Sequence, residues 1–166
     1  MFKTLELWLT KICRISIGLA FTVLIVAVLV QVISRTLGSS PVWSEELTRF
    51  ALLYVAAIGA GLAFKSGDLV NVDVFCEAFG QHWSNRLRLL SAVLTAIMCG
   101  VLLMPAWRFV SIGAFQTSPA MGLQMTYVHL SVFVLLLVLF LFAIFRIVAM
   151  VLHHEDGRPD NARDPL

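Results

Sequence analysis

The chain has 166 residues and is 60% hydrophobic but only 13% charged, with a mean hydropathy of +0.91 and a formal net charge of +2. Soluble domains are nearer half apolar and about a quarter charged, so an ordinary soluble globule and a disordered tail are excluded. No basic cluster tracks phosphates, which excludes a nucleic-acid binder. An apolar excess of this size makes a bilayer the solvent, and the length suits one domain of packed helices.

The predicted elements follow from runs without charge. Residues 2–14 read as a short interfacial helix, with Phe2, Leu5, Trp8 and Ile12 near one face and Lys3, Glu6, Lys11 and Arg14 elsewhere. The first span, 15–34, is a 20-residue run between Arg14 and Arg35. At 1.5 Å per residue it reaches about 30 Å, the thickness of the hydrocarbon core. Its apolar stretch is longer than that of a cleaved signal peptide and no A-x-A site follows, so it is expected to remain as an anchor. The second span is placed at 42–64, with Ser40 as N-cap and Pro41 at the first helical position. Residues 69–83 repeat the amphipathic theme through Val72, Phe75, Phe79 and Trp83, as a membrane-surface linker or a docking surface for another subunit. The third span is 89–107. Ser118-Pro119 and Gly122 punctuate the long run that follows, which places the fourth at about 127–146. All spans are helical, because backbone in lipid must satisfy its own hydrogen bonds. The expected fold is an all-α membrane domain over 1–152, a four-helix bundle with a polar tail at 153–166.

Lysine and arginine set the orientation. Lys3, Lys11, Arg14, Lys65, Arg86, Arg88, Arg146, Arg158 and Arg163 fall on the side of the termini, while Arg35, Arg49 and Arg108 fall on the other. Nine against three predicts that both termini are cytoplasmic.

The interiors narrow the function. Pumps and proton-coupled carriers bury ionisable residues in their spans. The runs 15–34, 50–64, 89–107 and 127–145 contain no Asp, Glu, Lys or Arg. This argues against a lone carrier or drug exporter. Cys13, Cys76 and Cys99 form no CxxC and read as small apolar fillers. His82 and His129 are expected on opposite sides of the bilayer, and His153 and His154 are adjacent in a polar tail, so no bis-His haem site is assembled. No P-loop, GxSxG or HExxH pattern occurs. We therefore assign no catalytic, cofactor-binding or metal residue. Ala57–Gly61, Gly59–Ala63 and Ala92–Ala96–Gly100 are small-xxx-small seams that serve packing within the bundle or against a partner.

One charged cluster enters an otherwise uncharged helix: Trp43-Ser44-Glu45-Glu46-Leu47-Thr48-Arg49. Glu45 and Arg49 are spaced i, i+4 in the favoured order and read as a surface pair. Alternatively the charges pair with Arg35 or with another subunit.

Arg35, the Trp43-Ser44-Glu45-Glu46 run with Arg49, Gly59-Ala60, the segment from Lys65 to Asp73 and the segment from Ser118 to Met125 together resemble the small membrane subunit of TRAP (tripartite ATP-independent periplasmic) transporters, the DctQ-like subunit. Many members of that family carry His where Leu69 stands and a basic residue where Asn71 stands, so a contact made there is altered. The resemblance implies a scaffold beside a large elevator-type membrane subunit (DctM-like), in the bacterial inner membrane. It also implies a periplasmic binding protein that delivers an organic acid, and a coupling ion, usually sodium, held on the large subunit. Arg35, Trp43, Glu45, Glu46 and Arg49 would then organise the periplasmic side, and Asp73 the cytoplasmic loop. A scaffold of an unrelated membrane complex and a membrane redox protein are the competing readings.

Overall fold

The computed structural model describes residues 2–38, 41–66 and 81–152. Four helices account for most of them: α1 (Phe2–Thr36), α2 (Val42–Ser66), α3 (Gln81–Ile112) and α4 (Thr126–Leu152), with a 3-10 turn at Gly113–Phe115. Each of the four is long and apolar enough to cross a membrane.

Residues 2–14 are helical but are not a separate element. They are the first turns of α1, which is continuous to Thr36. No proline lies between Phe2 and Thr36, and nothing else in the sequence terminates the helix at Arg14. With 35 residues α1 is about 52 Å long, well beyond the hydrocarbon thickness, so part of it stands outside the core. It ends where Gly38 takes a positive φ of 80° and its N–H reaches the Arg35 carbonyl at 3.2 Å.

Pro41 lies just before α2 rather than inside it. Its carbonyl accepts from the Ser44 N–H at 3.1 Å and from Ser44 Oγ at 2.7 Å. Ser40 and the 69–80 stretch of the second amphipathic segment, Asp73 included, lie outside the described residues. α3 continues past the expected end at 107 and carries Pro105 in its interior. A proline removes one intrahelical hydrogen bond, which transmembrane helices tolerate when neighbours support them.

The helices do not close into a bundle around one axis. α1 packs on α2, α2 on α4 and α4 on α3, so the spatial order is α1–α2–α4–α3, a row with α2 and α4 in the middle. The small residues explain how α2 serves two neighbours. A methyl on Gly59 would come within 3.2 Å of Ile17 on α1, and one on Gly61 would overlap Val138 on α4. The two seams are thus packing devices within the chain, one for each face of α2. Gly100 on α3 does the same for Phe140 on α4, where an added methyl would lie at 3.2 Å. The buried core runs through Cys13, Ile58, Phe64, Ala96, Val138, Phe142 and Ala143. Cys13 and Cys99 are buried free thiols that fill space in it.

Candidate functional site: a loop braced onto the start of the second helix

The segment between α3 and α4 is built as a small hairpin. Thr117 and Gln124 form an antiparallel bridge. Ser118 N–H donates to the Leu123 carbonyl at 2.8 Å and Met125 N–H to the Gln116 carbonyl at 2.9 Å. The turn closes with Gly122, whose φ of 65° favours glycine and whose N–H donates to the Ser118 carbonyl at 3.0 Å. This geometry points the N–H groups of Ala120 and Met121 out of the turn.

Glu46 receives them. Ala120 N–H donates to Glu46 Oε1 at 3.1 Å and Met121 N–H donates to Oε2 at 3.1 Å. The Ser118 hydroxyl donates to the same Oε2 and accepts from Met121 N–H at 3.3 Å. Both carboxylate oxygens are engaged by donors that a neutral side chain of the same length would satisfy less well. Turn amides aimed at one point form a concave anion site, and here the anion is the chain's own. Arg49, one turn further along α2, adds electrostatic attraction to the same carboxylate.

Ser44 sets the register of this end of α2. It is fully buried, and its hydroxyl bonds back to Pro41 while its carbonyl accepts from Thr48 Oγ1 at 2.8 Å. Neither charge nor spacing marks Ser44 or Ser118 in the sequence. Their signal is positional: each is a small hydroxyl beside a motif residue that it fixes. Lower on the same seam, Tyr54 Oη donates to the Tyr127 carbonyl at 2.5 Å. His129 stacks on Phe109 with ring centroids 3.9 Å apart, and its Nδ1 lies 3.0 Å from the Phe109 carbonyl. Because that carbonyl can only accept, Nδ1 carries the proton in this contact. His129 therefore ties the end of α3 to the start of α4.

The expected residues separate. Glu46 is the one that joins distant parts of the chain. Glu45 and Arg49 are both exposed, and no salt bridge forms between them among the described residues. The expected i, i+4 pair does not form a salt bridge in the structure. Arg35 sits exposed at the end of α1 and makes no salt bridge to the cluster. Trp43, at the start of α2, is exposed.

At the other end of the row, Lys65 Nζ lies 3.5 Å from Glu6 Oε1 and donates to Thr10 Oγ1 at 3.2 Å. Arg146 lies over the Phe64 ring, 5.7 Å from its centroid. A groove of about 270 Å³ opens between α1, α2 and the start of α4, lined by Ala20, Val23, Phe50, Tyr54, Leu123 and Val128. No charged side chain lines it, so it offers an organic acid no counter-charge.

The profile of a family described as "Tripartite ATP-independent periplasmic transporters, DctQ component" matches residues 24–153. The matched stretch holds the end of α1 and all of α2, α3 and α4 together with the braced hairpin. Among characterised proteins, the chain is 24% identical over 102 residues to the sialic acid TRAP transporter small permease protein SiaQ of Vibrio cholerae serotype O1. That alignment covers 61% of this chain and 59% of the relative, so less than two thirds of the relative's length is spanned.

Proposed function

The chain belongs to the DctQ component family of the TRAP transporters, and from that premise we propose that it is a stationary scaffold for a large, elevator-type membrane subunit (DctM-like). In this reading a periplasmic binding protein hands an organic acid to the membrane pair. An ion gradient, with sodium as the coupling ion on the large subunit, drives uptake across the inner membrane. Both termini lie in the cytoplasm, as the lysine and arginine distribution favours.

The observation that carries the reading is the row of four spans. An elevator needs a fixed wall to slide against, and four helices neighbouring one another in a row make a broader one than a single span could. α1 is held to the rest on one side only, and 6% of its most apolar window is buried within the chain. The uncharged run interiors support a passive role, since they hold no lysine or arginine to take a substrate carboxylate within the core. The brace from Glu46 to the hairpin keeps one end of the wall from deforming.

The test is a mild-detergent pull-down of the tagged chain from its native membrane, with co-purifying proteins identified by mass spectrometry. A large, many-spanning permease in stoichiometric amount is the expected result. Recovery of the chain alone, from native membranes in which such a permease is detected, overturns the scaffold reading.

A further inference from the structure

The outer face of α3 carries an apolar stripe that does not stop where the helix reaches its terminal arginine. Val101, Met104, Arg108, Ile112 and Phe115 follow one another at spacings of three or four residues and are all exposed. They share one face of α3 and of the 3-10 turn that continues it. Phe115 is 90% exposed. Arg108 is the only charge in the stripe, and it makes no salt bridge among the described residues.

Position along the helix fixes the depth. Arg88 and Arg108 are 20 residues apart, about 30 Å along a helix, which places one near each boundary of the hydrocarbon core. Ile112 and Phe115 then lie at the level of the headgroups. An arginine there extends its charged end toward the phosphates while its stem stays against apolar neighbours. Aromatic rings gather at the same level, and Trp107, exposed on α3, directly precedes Arg108 in the chain.

We propose that Arg108, with Met104 below it and Ile112 and Phe115 above it, is a seat for a phospholipid of the leaflet at the hairpin end. The guanidinium takes the phosphodiester, Met104 lies against the acyl chains, and Phe115 is sunk in the interface rather than standing in water. Charge complementarity selects the occupant. A lone cation flanked by apolar side chains fits an amphiphile whose anionic group sits directly above its tails. A protein partner that covered the same patch would need an acid at the level of Arg108. The inference rests on the spanning of the membrane and is independent of the scaffold role.

The experiment places single spin labels at positions 101, 115 and 117 of the full chain, in a background with Cys13, Cys76 and Cys99 replaced by alanine. The protein is reconstituted in nanodiscs of phosphatidylethanolamine and phosphatidylglycerol, and collisions with oxygen and with a water-soluble nickel chelate are compared. Position 115 is expected to favour oxygen, less strongly than 101, while 117 on the hairpin favours the chelate. R108A raises the chelate accessibility of 115 several-fold, and R108K restores most of the wild-type value. Chelate accessibility at 115 equal to that at 117, or no response to R108A, overturns the lipid seat. Chelate accessibility at 101 as well would overturn the membrane span of α3 itself.

Discussion

Glu46 and Ser118 are 72 residues apart in the chain, and the hydroxyl of one donates to the carboxylate of the other. The contact joins the start of α2 to the hairpin between α3 and α4. α1 and α2 form one antiparallel pair and α3 and α4 another, and among the described residues the pairs meet chiefly where α2 packs on α4. Glu46 therefore latches the two pairs together at one end of the row. The charge suits the task because the hairpin presents only donors, two amides and a hydroxyl, at that point.

Replacing Glu46 with glutamine leaves the length unchanged but puts donors where only acceptors fit. The Ala120 and Met121 amides should then exchange their hydrogens faster, by hydrogen–deuterium mass spectrometry in detergent, while those in the middle of α4 do not change. Ser118→Ala should give a smaller effect in the same peptides, because the two amide bonds remain. Equal exchange in wild type and Glu46→Gln would show that the hairpin holds its shape without the latch.

If the chain is the proposed scaffold, Arg49→Ala should weaken recovery of the complex or reduce transport without altering which substrate the binding protein captures. Arg49 is exposed and forms no salt bridge to Glu45, so its loss leaves the fold intact. Pull-down yield and whole-cell uptake check the first part. Ligand binding by the isolated binding protein checks the second. Wild-type yield and uptake would remove the cluster from the assembly surface.

The glycines should rank by what a methyl would meet. At Gly113 it meets the backbone nitrogen of Thr126 at 2.6 Å and His129 Nδ1 at 2.8 Å, neither of which can yield easily. At Gly61 it overlaps Val138 in the α2–α4 interface. Alanine at either position should cost about 1–3 kcal/mol, as overpacking does elsewhere. Gly59→Ala should cost less, since Ile17 at 3.2 Å ends in a mobile methyl. Gly18→Ala meets nothing within 4 Å and should be neutral or mildly stabilising. Thermal unfolding of the four variants in one detergent tests the order. Val138→Ala should partly rescue Gly61→Ala if the overlap is the cause.

Lys65→Met removes the bond to Glu6 at the other end of the row. The side chains are 16% and 29% exposed, so the pair is neither dry nor fully screened. A loss of no more than about 1 kcal/mol is expected, as for partly exposed pairs generally. A larger loss by thermal unfolding would mean that α1 depends on this contact more than on its packing along α2.

Hydropathy and composition were enough to read a helical chain with four spans whose small residues bring helices close. Those properties follow from hydropathy, run length and the absence of Cβ atoms, which are local. The resemblance drawn from Trp43-Ser44-Glu45-Glu46 and the Ser118–Met125 segment also pointed to the family whose profile matches residues 24–153. Which surfaces meet became visible only in the folded chain. Lipid and protein are equally apolar, so periodicity could not say that the helices stand in the row α1–α2–α4–α3 rather than in a closed bundle. Spacing favoured Glu45 with Arg49, but a helix turns by 100° per residue, and that one step faces Glu46 toward the hairpin. Its partners there are mostly backbone amides, which every residue but proline carries, so no sequence pattern could mark them. Their aim at one point exists only once Gly122 has closed the turn and α2 has packed against α4.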